Sequence, residues 1–236
     1  METDRIERIE KRLRQRYYQK KHLNLVISAV IVVLGITSVM FIWNYDQEGL
    51  LSFRWLTVDG TVFTVLMALC YIAVNLSEMA HYTELTSTPV YFIRLSSAVA
   101  EALIITVVLL SQLPISSEHM HIWRYDMFNM HILIPILTIT SFLVNDSPIG
   151  KLTFRQRLRG TSFVTAYAIV ILALILVGRI PPDKIPYFFL DILNLPALKF
   201  IGYFVFLYGV SYLFSVLLSK WNLKASWRWF KGIAAC

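Results

Sequence analysis

The amino-acid sequence predicts an all-α polytopic membrane protein: six transmembrane helices in one bundle, with both termini in the cytoplasm. Three observations carry that reading. Six continuous apolar runs, at residues 23–43, 56–76, 91–113, 127–144, 160–178 and 198–218, each lie near the roughly 20 residues that cross a 30 Å hydrocarbon layer. The 236 residues are 57% hydrophobic and 16% charged, with a mean hydropathy of +0.60, whereas a soluble domain carries about 25% charged residues. Finally, the net charge of +7 is concentrated in three segments that an even number of spans places on one side. Continuous runs exclude a barrel, whose strands alternate in polarity about every second residue over roughly ten positions.

Residues 1–22 carry Arg5, Arg8, Lys11, Arg12, Arg14, Arg16, Lys20 and Lys21. Ile6, Ile9, Leu13 and Tyr17 recur at helical spacing, and Glu7/Lys11 and Glu10/Arg14 stand four apart, as helix-supporting pairs do. This segment reads as an amphipathic helix lying on the inner leaflet, drawn to anionic lipid by about 1 kcal/mol per basic residue. The first run exceeds a signal-peptide core, and Trp43-Asn44-Tyr45 is no small-residue cleavage site, so the run is expected to stay in the mature chain.

The second basic segment is Lys151, Arg155, Arg157 and Arg159; the third is Lys220, Lys224, Arg228 and Lys231. The positive-inside rule makes their common side cytoplasmic. This distribution excludes a nucleic-acid surface and leaves membrane lipids as the expected partners. Trp221, Trp227, Trp229 and Phe230 interleave with the last cluster, so residues 219–236 read as an interfacial tail after a transmembrane domain at 23–218. Cys70 falls inside the second span and Cys236 ends the chain, which makes a disulfide between them implausible. Arg94 reads as a residue snorkelling to the cytoplasmic end of the third span. His22, His81, Glu78 and Glu84 read as ordinary interfacial groups. On the outer side, residues 179–197 are dense in Pro and aromatics and long for a hairpin; they are expected to fold back over the bundle.

Alternating spans run in opposite directions, so the second and fourth both begin at the outer face. Thr57 opens the second span and His131 lies about one turn into the fourth, at similar depth by the roughly 1.5 Å rise per residue. A Thr hydroxyl is a weak nucleophile until a base removes its proton, and imidazole is suited to that task. Asp59, Thr61, Asn129 and Asp191 are close enough in the layout to orient the ring or hold a substrate. The same pair also fits a helix cap and an interhelical hydrogen bond, and no G-x-S-x-G motif is present.

Glu101, near the middle of the third span, is the other polar group that the bilayer makes expensive. It reads as a ligand contact, catalytic support or proton site, or else as a strut between helices. Glu118, His119 and His121 resemble zinc ligands by type but lack a visible fourth partner, so no metal and no cofactor is expected.

Three segments carry a family resemblance: Trp55-Leu56-Thr57-Val58, Asn129-Met130-His131-Ile132-Leu133-Ile134-Pro135, and Ile185-Pro186-Tyr187-Phe188-Phe189-Leu190-Asp191. In that order they resemble the second-helix Thr, the fourth-helix His followed by Pro, and the aromatic stretch before the last helix of the androgen-induced and androgen-dependent membrane proteins and their bacterial six-helix relatives. The animal members are threonine hydrolases of fatty-acid esters of hydroxy fatty acids. The resemblance implies Thr57 as nucleophile and His131 as general base; Tyr187 and Asp191, in the third segment, are candidate substrate-binding or supporting residues. Gly60-Thr61 departs from the Ser-Asn that bacterial relatives carry after the Thr, which removes an amide contact from the expected substrate site. The competing class is a non-enzymatic lipid-binding, scaffold or transport protein with Glu101 as its polar site.

Overall fold

A computed structural model describes residues 2–45, 49–81, 88–112, 123–146 and 148–234. Six helices are long and apolar enough to cross a membrane, and the described residues contain no strand. We number them α1 (Glu2–Tyr45), α2 (Leu56–His81), α3 (Thr88–Leu110), α4 (Tyr125–Asn145), α5 (Phe154–Leu176) and α6 (Ala197–Ala234). Contacts fix their alternation. Lys21, Glu78, Arg94, Asp146 and Asn222 meet at the end carrying the termini, while Thr37 meets Tyr125, and Thr57 meets His131, at the distal end. Glu118, His119 and His121 lie outside the described residues. No metal-ligand cluster occurs among the described ones.

Two helices are longer than their apolar runs. α1 is unbroken from Glu2, so the basic segment prolongs the first span and does not form a separate helix lying on a leaflet. Lys, Arg, Glu and Gln are good helix formers, and polarity ends a membrane span without ending a helix. α6 likewise continues to Ala234, and Asn222, within the expected tail, is fully buried in the bundle. α3 is the most enclosed span and α6 the least. α1 crosses α2 where Gly35 stands, since a β-carbon there would collide with Val65. The start of α5 docks on α6 at Gly160, where an added β-carbon would strike Ser215.

The terminal half of the core is polar. Arg94 is not a snorkelling residue: it is 2% exposed, donates from Nε to Asp146 Oδ2 at 3.2 Å and from Nη2 to Ser141 at 2.8 Å, and lies over the Tyr71 ring. Tyr71 donates to the other Asp146 oxygen, Ser141 to Asn24, and Asn222 to three carbonyls at the end of α4. Glu78, expected at the interface, is fully buried and paired with Lys21 of α1. Hydropathy weighs each charge alone, whereas its partner lies far along the chain. Removing one member of a buried pair leaves the other uncompensated. Asp146→Ala is therefore expected to destabilise the bundle by about 3–5 kcal/mol, read as a lowered unfolding temperature in detergent; an unchanged temperature would mean that the clamp contributes nothing.

α5 ends at Gly178, whose φ of +71° allows the N–H of Arg179 to bond the carbonyl of Leu174 at 2.9 Å, a Schellman-type stop. The following segment folds back over the distal end, burying Ile180 and Leu190 against Leu56, Leu103 and Tyr167.

Candidate functional site

The site begins with how α2 and α4 start. A 3₁₀ turn at Gly49–Arg54 delivers the chain to α2, and Tyr167 Oη of α5 pins that turn by donating to the Arg54 carbonyl at 2.5 Å. Thr57 is thereby held in the first turn of α2, 9% exposed. In α4, Pro135 has no N–H with which to bond the carbonyl of His131. The backbone widens into a π turn at Asn129–Leu133, with the Ile134 N–H reaching back to the Asn129 carbonyl. Such turns recur at functional sites.

This turn places His131, 6% exposed, with Nδ1 2.9 Å from the Met127 carbonyl. A carbonyl only accepts, so Nδ1 carries the proton and Nε2 presents its lone pair. That lone pair faces Thr57 Oγ1 at 3.3 Å. The hydroxyl therefore donates to the imidazole, the polarity that general-base activation requires. The Arg124–Asp126 ion pair, bonded at 2.7 and 2.6 Å, stands within electrostatic reach of the ring.

On its other side Thr57 adjoins the phenol of Tyr187, from the segment folded over the distal end, and both line the same cleft. Burial pushes the Tyr187 hydroxyl up to about 12, so it stays a donor through the neutral range. Trp55 meets the Tyr187 ring edge-on at 5.5 Å and Phe189 stacks on it at 5.1 Å.

Beside Thr57 opens a cleft between α3, α5, α6 and the folded-back segment. Leu103, Val164, Phe189 and Leu207 make its walls almost wholly apolar. The Thr161 and Tyr208 hydroxyls meet at 3.3 Å toward its terminal end. His131 does not line the cleft, so the Thr57 hydroxyl lies between the imidazole and the apolar space. The first turns of α6 stand clear of the bundle, with Leu198, Ile201, Val205 and Phe206 exposed.

The other residues expected at the site are dispersed. Asp59 is half-buried on the side of Tyr167 and Tyr187, within their electrostatic reach. Thr61 is buried one turn deeper, and its hydroxyl has no partner among the described residues. Asn129 donates to Ser38 of α1 at 3.2 Å. Asp191 accepts from Asn194 N at 3.1 Å and closes its own loop. Glu101 is fully buried below the site; its Oε1 accepts from Thr64 at 2.7 Å, and Thr64 is 2.9 Å from Ser97. Glu101 does not line the cleft.

Three contributors are not apparent from the sequence: the Met127 carbonyl, Tyr167 and the Arg124–Asp126 pair. Tyr167 leaves a signal, a phenol in the otherwise strongly apolar helix Ser162–Leu176. The carbonyl leaves none. No family model matches the chain, and no curated protein or solved structure matches it.

Proposed function

We propose that this chain is an intramembrane hydrolase or acyltransferase for long-chain lipid esters, with Thr57 as nucleophile and His131 as general base. The observation that supports this most is the Thr57 hydroxyl donating to a correctly tautomeric imidazole beside an apolar cleft. The family resemblance points the same way. In the proposed orientation the termini are cytoplasmic, the distal end faces the outer leaflet of the cell membrane, and lipid enters past the exposed first turns of α6.

In the reaction, Nε2 of His131 accepts the Thr57 proton as Oγ1 attacks the ester carbonyl. The tetrahedral oxyanion is met by the Tyr187 phenol and the N-terminal dipole of α2. Collapse breaks the bond to the alcohol oxygen, which leaves with the proton from His131. Water, or a second alcohol in transfer, then attacks the acyl-threonine with the same imidazole taking its proton, and Thr57 is regenerated. One acyl chain occupies the cleft throughout.

The transport reading draws on the buried hydroxyls and carboxylate of Thr61, Thr64, Ser97 and Glu101. It is the weaker one, because the cleft lies beside Thr57 and Glu101 takes no part in its lining.

Purified protein supplied with p-nitrophenyl esters of increasing chain length tests the proposal. Hydrolysis is expected to rise with chain length until the cleft is filled. Ala168→Phe, which projects a ring into the cleft, is expected to lower kcat/KM for long chains about tenfold or more while sparing the shortest esters. No ester cleavage at any length, or cleavage indifferent to Ala168→Phe, would contradict it.

A further inference from the structure

At the terminal end, the loop before α5 and the 219–224 stretch of α6 flank a second, open groove. Lys151, Arg157, Lys220 and Lys224 line it together with Leu152 and Leu223, so that their apolar stems form much of its wall, and no carboxylate among the described residues lines it. The acidic groups buried nearby are already committed, Asp146 to Arg94 and Glu78 to Lys21.

The backbone that carries Arg157 is held in place. Gly150, at φ +101°, turns the loop. Thr153 accepts from the Gln156 N–H at 3.4 Å and donates its own N–H to the Gln156 side chain at 2.9 Å, a reciprocal cap that sets the first turn of α5. Ser215 of α6 donates to the Arg157 carbonyl at 2.7 Å. Arg157 Nε is buried with no hydrogen-bond partner among the described residues. A buried guanidinium N–H without an acceptor is costly, and four like charges around one groove repel.

We infer that this groove binds the phosphate of an anionic glycerophospholipid. A guanidinium fork with ammonium groups around it suits a tetrahedral anion better than a planar carboxylate. The lipid source follows from what adjoins the groove. Leu213 and Leu217 lie on the same stripe of α6 as Lys220 and Lys224, Leu213 is half exposed, and Phe154 and Trp221 are exposed beside them. An acyl chain leaving the headgroup therefore runs directly along an apolar face toward the membrane interior. Basic pockets between helices at this level take anionic headgroups in general.

The experiment is native mass spectrometry of the detergent-purified chain with equimolar phosphatidylglycerol and phosphatidylcholine. Phosphatidylglycerol is expected to be retained preferentially. Lys220→Gln/Lys224→Gln is expected to reduce that retention about tenfold or more. Arg155→Gln/Lys199→Gln removes the same charge outside the groove and is expected to leave it unchanged. Should the first double variant fold poorly, Lys151→Gln, at an exposed loop position, is expected to lower retention on its own. Equal loss in the control pair would reduce the effect to net charge and overturn the site. Complete displacement by millimolar inorganic phosphate would overturn the lipid assignment, leaving a free-anion site.

Discussion

Under the proposed mechanism Thr57→Val is expected to abolish ester hydrolysis, with a loss in kcat of about 10³-fold or more, while the bundle keeps its unfolding temperature. The substitution is nearly isosteric and removes only the hydroxyl, whose neighbours are His131 Nε2 and the Tyr187 phenol. Thr57→Ser restores an oxygen in the same position without the γ-methyl that limits its rotation, and is expected to recover measurable turnover. The contrast between the two separates chemistry from packing. Comparable loss in both variants would show that the methyl, and not the oxygen, matters at this position.

His131→Gln lowers kcat by about 10²–10⁴-fold, the usual contribution of a positioned general base. Adding it to Thr57→Val is expected to cost almost nothing further, because the two residues act as one unit. The pH dependence has a definite sign. Protonating Nε2 removes the lone pair that receives the Thr57 proton, so activity falls as pH decreases through protonation of His131. Tyr187 adds no loss in the neutral range, since its phenol is deprotonated only near 12. A pH–rate profile flat across the acidic limb would remove the imidazole from the mechanism.

The six spans are legible in the sequence because little besides a bilayer crossing calls for an unbroken apolar run near 20 residues long. Their ends are not. Nothing in 1–22 stops a helix, so α1 starts at Glu2 although the membrane run starts some twenty residues later. Arg94 and Glu78 are misplaced by the sequence for a related reason: hydropathy scores a charge without its partner, and Asp146 and Lys21 come from other spans. Thr57 and His131 can be brought to one depth by counting helix directions. Their rotation about the helix axes cannot, since it depends on the π turn before Pro135 and on how Gly35 lets α1 approach α2. Tyr187 stands out only as one aromatic in a Pro-rich segment, and its meeting with Thr57 follows from the fold-back that buries Ile180 and Leu190. The carbonyl that sets the tautomer belongs to Met127, whose side chain is irrelevant to the role.

The proposed mechanism requires that Thr57 Oγ1 form the covalent bond to the acyl group. A long-chain alkyl fluorophosphonate, which traps activated hydroxyl nucleophiles, followed by peptide mass spectrometry, tests it most directly. One adduct is expected, on the peptide containing Thr57, absent in Thr57→Val and strongly slowed in His131→Gln. An adduct on any other residue, or labelling that persists undiminished in Thr57→Val, would contradict it.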